Sequence, residues 1–138
     1  MADTDRIPTN LRTLLILEVI GQSDVPMSPT EINAHPHQVG RVSLVHNGII
    51  ENYKSLRDGL IAQGRSFVSE TDTEVVAQLL DHELDRQTDA VAAFLTVLSQ
   101  LKGAFALATI IEGEPDLLLG ARRGAPLIAA SGDGCGFL

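Results

Sequence analysis

VSLVHNGIIENYKSL, Val42 to Leu56, decides how this chain folds. An apolar run reaches His46-Asn47-Gly48 and resumes at once with Ile49-Ile50. Asn-Gly between apolar runs is the strongest short-range hairpin signal, because both residues tolerate positive φ. A second strand would then follow Gly48. The spacing favours a helix instead: Ile49, Ile50, Tyr53, Leu56 and Leu60 recur at helical intervals, with Glu51, Asn52, Lys54, Arg57 and Asp58 between them. The expected order is a strand over Arg41 to Val45, a sharp turn, then a helix from Asn52 to Gln63 closed by Gly64. Such a turn leaves the Asn47 carboxamide and nearby backbone N–H groups pointing outward, the hardware of an anion or oxyanion site. A plain structural turn is the commoner use of the same residues.

Upstream, Asn10 to Ser23 reads as an amphipathic helix with Asn10 as N-cap and a wide face of Leu11, Leu14, Leu15, Leu17, Val19 and Ile20. Ser28 to Glu31 offers a capping pattern for a short second helix, and AHPHQVG reads as an irregular loop. Downstream, SFVSET reads as a short strand. Thr71 and Glu74 form a capping box at the head of a helix that buries Val75, Val76, Leu79, Leu80 and Leu84. A further helix spans Asp89 to Leu101, with Val91, Phe94, Leu95, Leu98 and Leu101 at helical spacing. AFALATII and LLLGARRG read as strands, PLIAA as one more candidate, and the tail is glycine-rich. Helices and strands alternate without a phosphate loop, so an α+β layered domain is expected.

The 138 residues suffice for one domain with a real core. No apolar run approaches the ~18 residues needed to span a bilayer, so no membrane is expected, and a cytoplasmic location fits. The formal charge of −8 makes nucleic acid an unfavoured partner. A single cysteine, Cys135, excludes an internal disulfide, and its glycine neighbours point to an inert thiol. His35, His37 and His46 with Asp72 match no metal-ligand spacing, so no metal and no cofactor are expected. Glu70, Asp72 and Glu74 suit a helix start, where carboxylates meet the helix dipole. The functional alternative is a carboxylate gripping a cationic group. Arg122-Arg123 reads as a surface pair at a strand end.

Taken together, NAHPH (Asn33 to His37), VHNGIIENY (Val45 to Tyr53), SETDTEVVAQLL (Ser69 to Leu80), GAFALATI (Gly103 to Ile110) and ARRGAPLI (Ala121 to Ile128) resemble the glutaminase domain of the glutamine–fructose-6-phosphate aminotransferase (isomerising) family. The motifs keep the family's order and spacing over about residues 29–138. The resemblance implies a partial N-terminal-nucleophile-hydrolase fold with αββα layers and an added N-terminal helix. It implies L-glutamine as substrate, with a cysteine at the start of the mature chain attacking the side-chain amide and ammonia leaving. By motif, Asn47 and Gly48 would form the oxyanion hole, Asp72 would bind the α-amino group of glutamine, His35 would line the pocket and His46 would support the turn.

The chain departs from that pattern at its start: Ala2, not a cysteine, follows Met1. The family's opening strand and the segment with the carboxylate-binding arginine have no counterpart before Pro29. The expectation is a chain without glutaminase activity of its own and with a partly exposed sheet of marginal stability. Residues 1–33 instead resemble the first helix of isocitrate-lyase-regulator-type winged-helix repressors. The implied organisation is a helical segment over 1–33 and a partial glutamine amidotransferase domain over 34–138. Two other readings compete: an interaction module in which the N-terminal helix pairs with a second copy, and a DNA-binding regulator. The first 33 residues carry 2 basic and 5 acidic side chains, which disfavours DNA.

Overall fold

The computed structural model describes residues 14–18, 36–128, 130–132 and 135–137, with side chains over 36–128. Five strands form one sheet: β1 (Leu14–Glu18), β2 (His37–Val39), β3 (Val42–Ile50), β4 (Gly103–Ile111) and β5 (Leu118–Arg123). Their order is β1-β5-β4-β3-β2. β1 runs parallel to β5, and every other pair is antiparallel. Three helices follow β3 and precede β4: α1 (Tyr53–Ala62), α2 (Asp72–Arg86) and α3 (Ala90–Gln100). β6 (Ala130–Gly132) and β7 (Cys135–Phe137) make a separate two-stranded ribbon. The result is α+β, with helices on one face of a mostly antiparallel sheet.

β3 runs through the Asn-Gly pair. Its nine residues pair with β4 in continuous register, from Val42 opposite Ile111 to Ile50 opposite Gly103. The expected turn at His46–Gly48 therefore moves to Glu51-Asn52, and the helix begins at Tyr53. Three hydrogen bonds explain the shift. Glu51 N–H donates to the Lys102 carbonyl at 2.8 Å. The Asn52 side chain takes Lys102 N–H at 2.9 Å and donates to the Gln100 carbonyl at 2.8 Å. The chain reverses where it can be pinned to the α3–β4 connection. Ile49 and Ile50, at helical spacing with Tyr53, belong to the strand.

The helix Asn10 to Ser23 is also corrected: residues 14–18 are strand β1, paired from Leu14 opposite Leu118 to Glu18 opposite Arg122. The remainder of that span and the candidate helix near Ser28 lie outside the described residues. A continuous run such as LLIL is ambiguous by periodicity, and a free strand edge at β5 decides it. AHPHQVG is likewise no loop from His37 on, because His37–Val39 pairs with Val42–Leu44 through a Gly40-Arg41 turn. Of PLIAA, residues 126–128 are not strand and Ala130 opens β6.

SFVSET is not a strand; its backbone groups are taken by side chains. Glu74 accepts from Val68 N–H at 2.9 Å, from Ser69 N–H at 2.7 Å and from the Ser69 hydroxyl. Gln78 donates to the Ser66 carbonyl and Arg57 to the Ser69 carbonyl, each at 2.8 Å. The capping box is half formed. Thr71 Oγ1 accepts from Glu74 N–H at 3.3 Å, but the Glu74 carboxylate reaches past Thr71 to residues 68–69. Burial of Glu74 raises its pKa. The hydrogen bonds from Ser69, Val68 and Gln78 outweigh that, and hold it below the ordinary carboxylate value.

The core lies between the sheet and the helices. Val42, Leu44 and Ile50 of β3 and Phe105, Leu107 and Ile111 of β4 meet Val75, Val76, Leu79, Leu80 and Leu84 of α2, as expected for that helix. On α3 the buried face is Ala90, Ala93, Phe94, Val97 and Leu98, while Leu95 is exposed. α1 ends as expected at Gly64 (φ 90°), where Gly64 N–H reaches the Ile61 carbonyl and Arg65 N–H the Leu60 carbonyl, a Schellman cap. The other sheet face leaves Val45, Ile49 and Ile110 exposed. The expectation of a partly exposed sheet holds for these described residues.

Candidate functional site

Strand alternation fixes what Asn47 and Gly48 present. Glu51 N–H bonds to Lys102 and Glu112 N–H to the Arg41 carbonyl, so odd-numbered residues of β3 make the ladder to β4. Asn47 N–H is therefore spent on Ala106. The N–H groups of His46, Gly48 and Ile50 point to the opposite side. Among the described residues, β2 covers that side at Val42–Leu44 only. Ile50 N–H donates to Asp72 Oδ2 at 2.9 Å. Gly48 is exposed, and its N–H faces the edge that no described residue pairs with.

Gly48 is required by space as well as by conformation. Its φ is +105°, and a Cβ there would lie 2.2 Å from the Ala104 carbonyl oxygen. The Asn47 side chain extends from the other sheet face. It borders a cleft of about 300 Å³ together with Val45, Ala106, Ala108, Leu127 and Ile128. This cleft is walled mostly by carbon, so a polar group entering it meets the carboxamide as one of few hydrogen-bonding partners.

α2 closes the site from the helix side. Asp72 is its first residue, and Thr71 and Thr73 flank it. Asp72 Oδ1 lies 3.7 Å from His46 Nδ1, and Thr73 Oγ1 lies 3.0 Å from the same nitrogen. The His46 side chain is buried, and its Nε2 has no hydrogen-bond partner among the described residues. Burial pushes its pKa below the ordinary histidine value; Asp72 opposes the fall and His37 adds to it. His46 is thus a neutral imidazole at pH 7, held against the head of α2.

Of the residues singled out from sequence, Asn47, Gly48, His46 and Asp72 converge at this one edge. His35 lies outside the described residues. Arg122 and Arg123 end β5, but Arg123 is half-buried rather than a surface group. Its guanidinium donates to the Leu101 carbonyl at 2.7 Å and lies over the Phe105 ring. Sequence reasoning missed Thr73 altogether. Its only signal was its place two residues after an N-cap threonine, on the turn that must face β3. No helix among the described residues is long and apolar enough to cross a membrane.

A family model described as a glutamine amidotransferase domain matches residues 26–134. The glutamine–fructose-6-phosphate aminotransferase (isomerizing) of Zymomonas mobilis is 55% identical over 111 residues, 80% of this chain and 18% of that protein. The same-named enzyme of Caulobacter vibrioides is also 55% identical over 111 residues, with the same coverage. The chain thus spans about a fifth of the length of these relatives. Among solved structures, the glutamine phosphoribosylpyrophosphate amidotransferase of B. subtilis gives a TM-score of 0.48 at 32% identity, covering 56% of this chain and 17% of that one. With its motifs gathered at one strand edge and the family model covering residues 26–134, this chain belongs to the glutamine amidotransferase domain family.

Proposed function

We propose that this edge is the amide-binding part of a glutamine-hydrolysing site. Asn47 Nδ2 and Gly48 N–H are the two donors for the oxyanion that forms when the side-chain amide carbon is attacked. Asp72 takes the α-amino group of L-glutamine, and His35 lines the pocket. The observation that carries the reading is Gly48 N–H: it sits in mid-strand, yet it faces away from its ladder partner, toward an edge beside Asp72 where no described strand pairs with it. The attacking group is assigned to no described residue. The two donors lower the barrier by holding charge that exists only in the transition state, so they contribute little to ground-state affinity. Asp72 acts on a full charge already present in the substrate. A cytoplasmic location and the absence of nucleic acid as a partner go with this reading, the latter supported by the net charge of −8.

Calorimetric titration with L-glutamine tests it. Asp72→Asn keeps an oxygen for Ile50 N–H but removes the charge. It is expected to weaken glutamine binding ~10- to 100-fold, the range for losing a hydrogen bond to a charged group. Equal affinity in wild type and Asp72→Asn would remove Asp72 from the site.

A further inference from the structure

We propose that Thr73 is a positioning residue for the Asn47–Gly48 donor pair, acting through His46. This rests on the glutamine-site reading above. The inward face of β3 is anchored in the core by Val42 and Leu44, and again by Ile50. Between Leu44 and Ile50 only His46 has an inward side chain, because Gly48 has none. The orientation of the donor pair therefore depends on what holds His46. That partner is Thr73 Oγ1, 3.0 Å from Nδ1. On the far side of the pair, Asp72 Oδ2 holds Ile50 N–H at 2.9 Å. Successive residues of the first turn of α2 thus grip β3 on both sides of Asn47–Gly48.

In this proposal Nδ1 carries the proton. Nδ1 faces two oxygens, Thr73 Oγ1 and Asp72 Oδ1 at 3.7 Å. That tautomer gives the proton an acceptor and spares a buried N–H at Nε2, which has no partner among the described residues. A hydroxyl at position 73 is needed for this; the methyl of threonine is not. The head of α2 carries both Asp72, which would take the amino group, and Thr73, which would set the oxyanion donors. The two ends of a bound glutamine are then positioned by one rigid turn.

The test uses the full chain with ¹⁵N labelling, as wild type, Thr73→Val and Thr73→Ser. In Thr73→Val, the His46 ring nitrogens should lose the Nδ1–H pattern, and Asn47 backbone N–H exchange should rise about tenfold, in the range of one lost hydrogen bond. Exchange at Val75 and Phe105 should stay unchanged. The shift of the Gly48 amide on adding L-glutamine should shrink, and Thr73→Ser should restore all three signals. Unchanged His46 and Asn47 signals in Thr73→Val, or a serine variant that behaves like valine, overturn the proposal. If the wild-type chain shows no Gly48 response to glutamine, the functional reading fails. The His46 and Asn47 signals still decide whether Thr73 sets the pair.

Discussion

Gly48→Ala is expected to destabilise the domain by about 3–5 kcal/mol, combining a strained backbone with a main-chain clash. The backbone there has φ +105°, which a side chain rarely adopts, and the new methyl would sit 2.2 Å from the Ala104 carbonyl oxygen and 2.9 Å from the Phe105 Cα. Those atoms belong to β4 in the middle of the sheet and cannot move without breaking register over Asn47–Ile50. A flexible side chain could yield at such a distance; this backbone cannot. Gly59 gives the control. It lies inside α1, and a Cβ there meets nothing within 4 Å. Gly59→Ala should stabilise by ~0.5–1 kcal/mol, the ordinary helix gain over glycine. Urea denaturation of the two variants should move the midpoint in opposite directions. A Gly48→Ala midpoint close to wild type would mean that the strand does not pass this close to β4.

Glu74 should give the next largest effect. Glu74→Gln is expected to cost about 2–3 kcal/mol at pH 7, because either Oε1, which accepts from Val68 N–H, or Oε2, which accepts from Ser69 N–H and its hydroxyl, becomes a donor facing donors. The residue is 1% exposed, so water cannot replace the lost partner. The pH dependence gives a second handle. The folded-state pKa of Glu74 lies below its ordinary value. The stability it contributes is therefore fully present above the unfolded carboxylate range, near ~4.3, and is lost as pH falls through the lowered folded value. The gap between wild type and Glu74→Gln should be widest at neutral pH and narrow below pH ~4. A gap that stays constant from pH 7 to pH 3 would show that the carboxylate is not gripped as described.

The helices were the most legible part of the sequence. The apolar positions of α2 and the glycine stop of α1 follow from spacing and end chemistry alone. The face of α3 was only partly legible, because small Ala93 and buried Val97 looked no more inward than Leu95. The strands were harder. SFVSET has strand-like composition, but Glu74 and Gln78 lie on the next helix, and nothing in the local pattern shows that they will take its backbone groups. LLIL near the start could serve either structure, and a partner over 90 residues further along decides it. Asn47-Gly48 was legible as a special point in the chain but misread as a turn. Both residue types signal a φ above zero; only the pairing with β4 shows that this φ accommodates a close approach inside a strand. The proposed donor role is compatible with the correction because strand alternation, rather than a turn, sends Gly48 N–H away from β4.

Hydrogen exchange at two neighbouring amides tests that claim most directly. Asn47 N–H, spent on Ala106, should exchange slowly with the rest of the β3–β4 ladder. Gly48 N–H, one residue later and in the same strand, should exchange near the rate of an unprotected amide. Equal protection at both positions would mean that Gly48 N–H is already paired, and no donor would remain for an oxyanion.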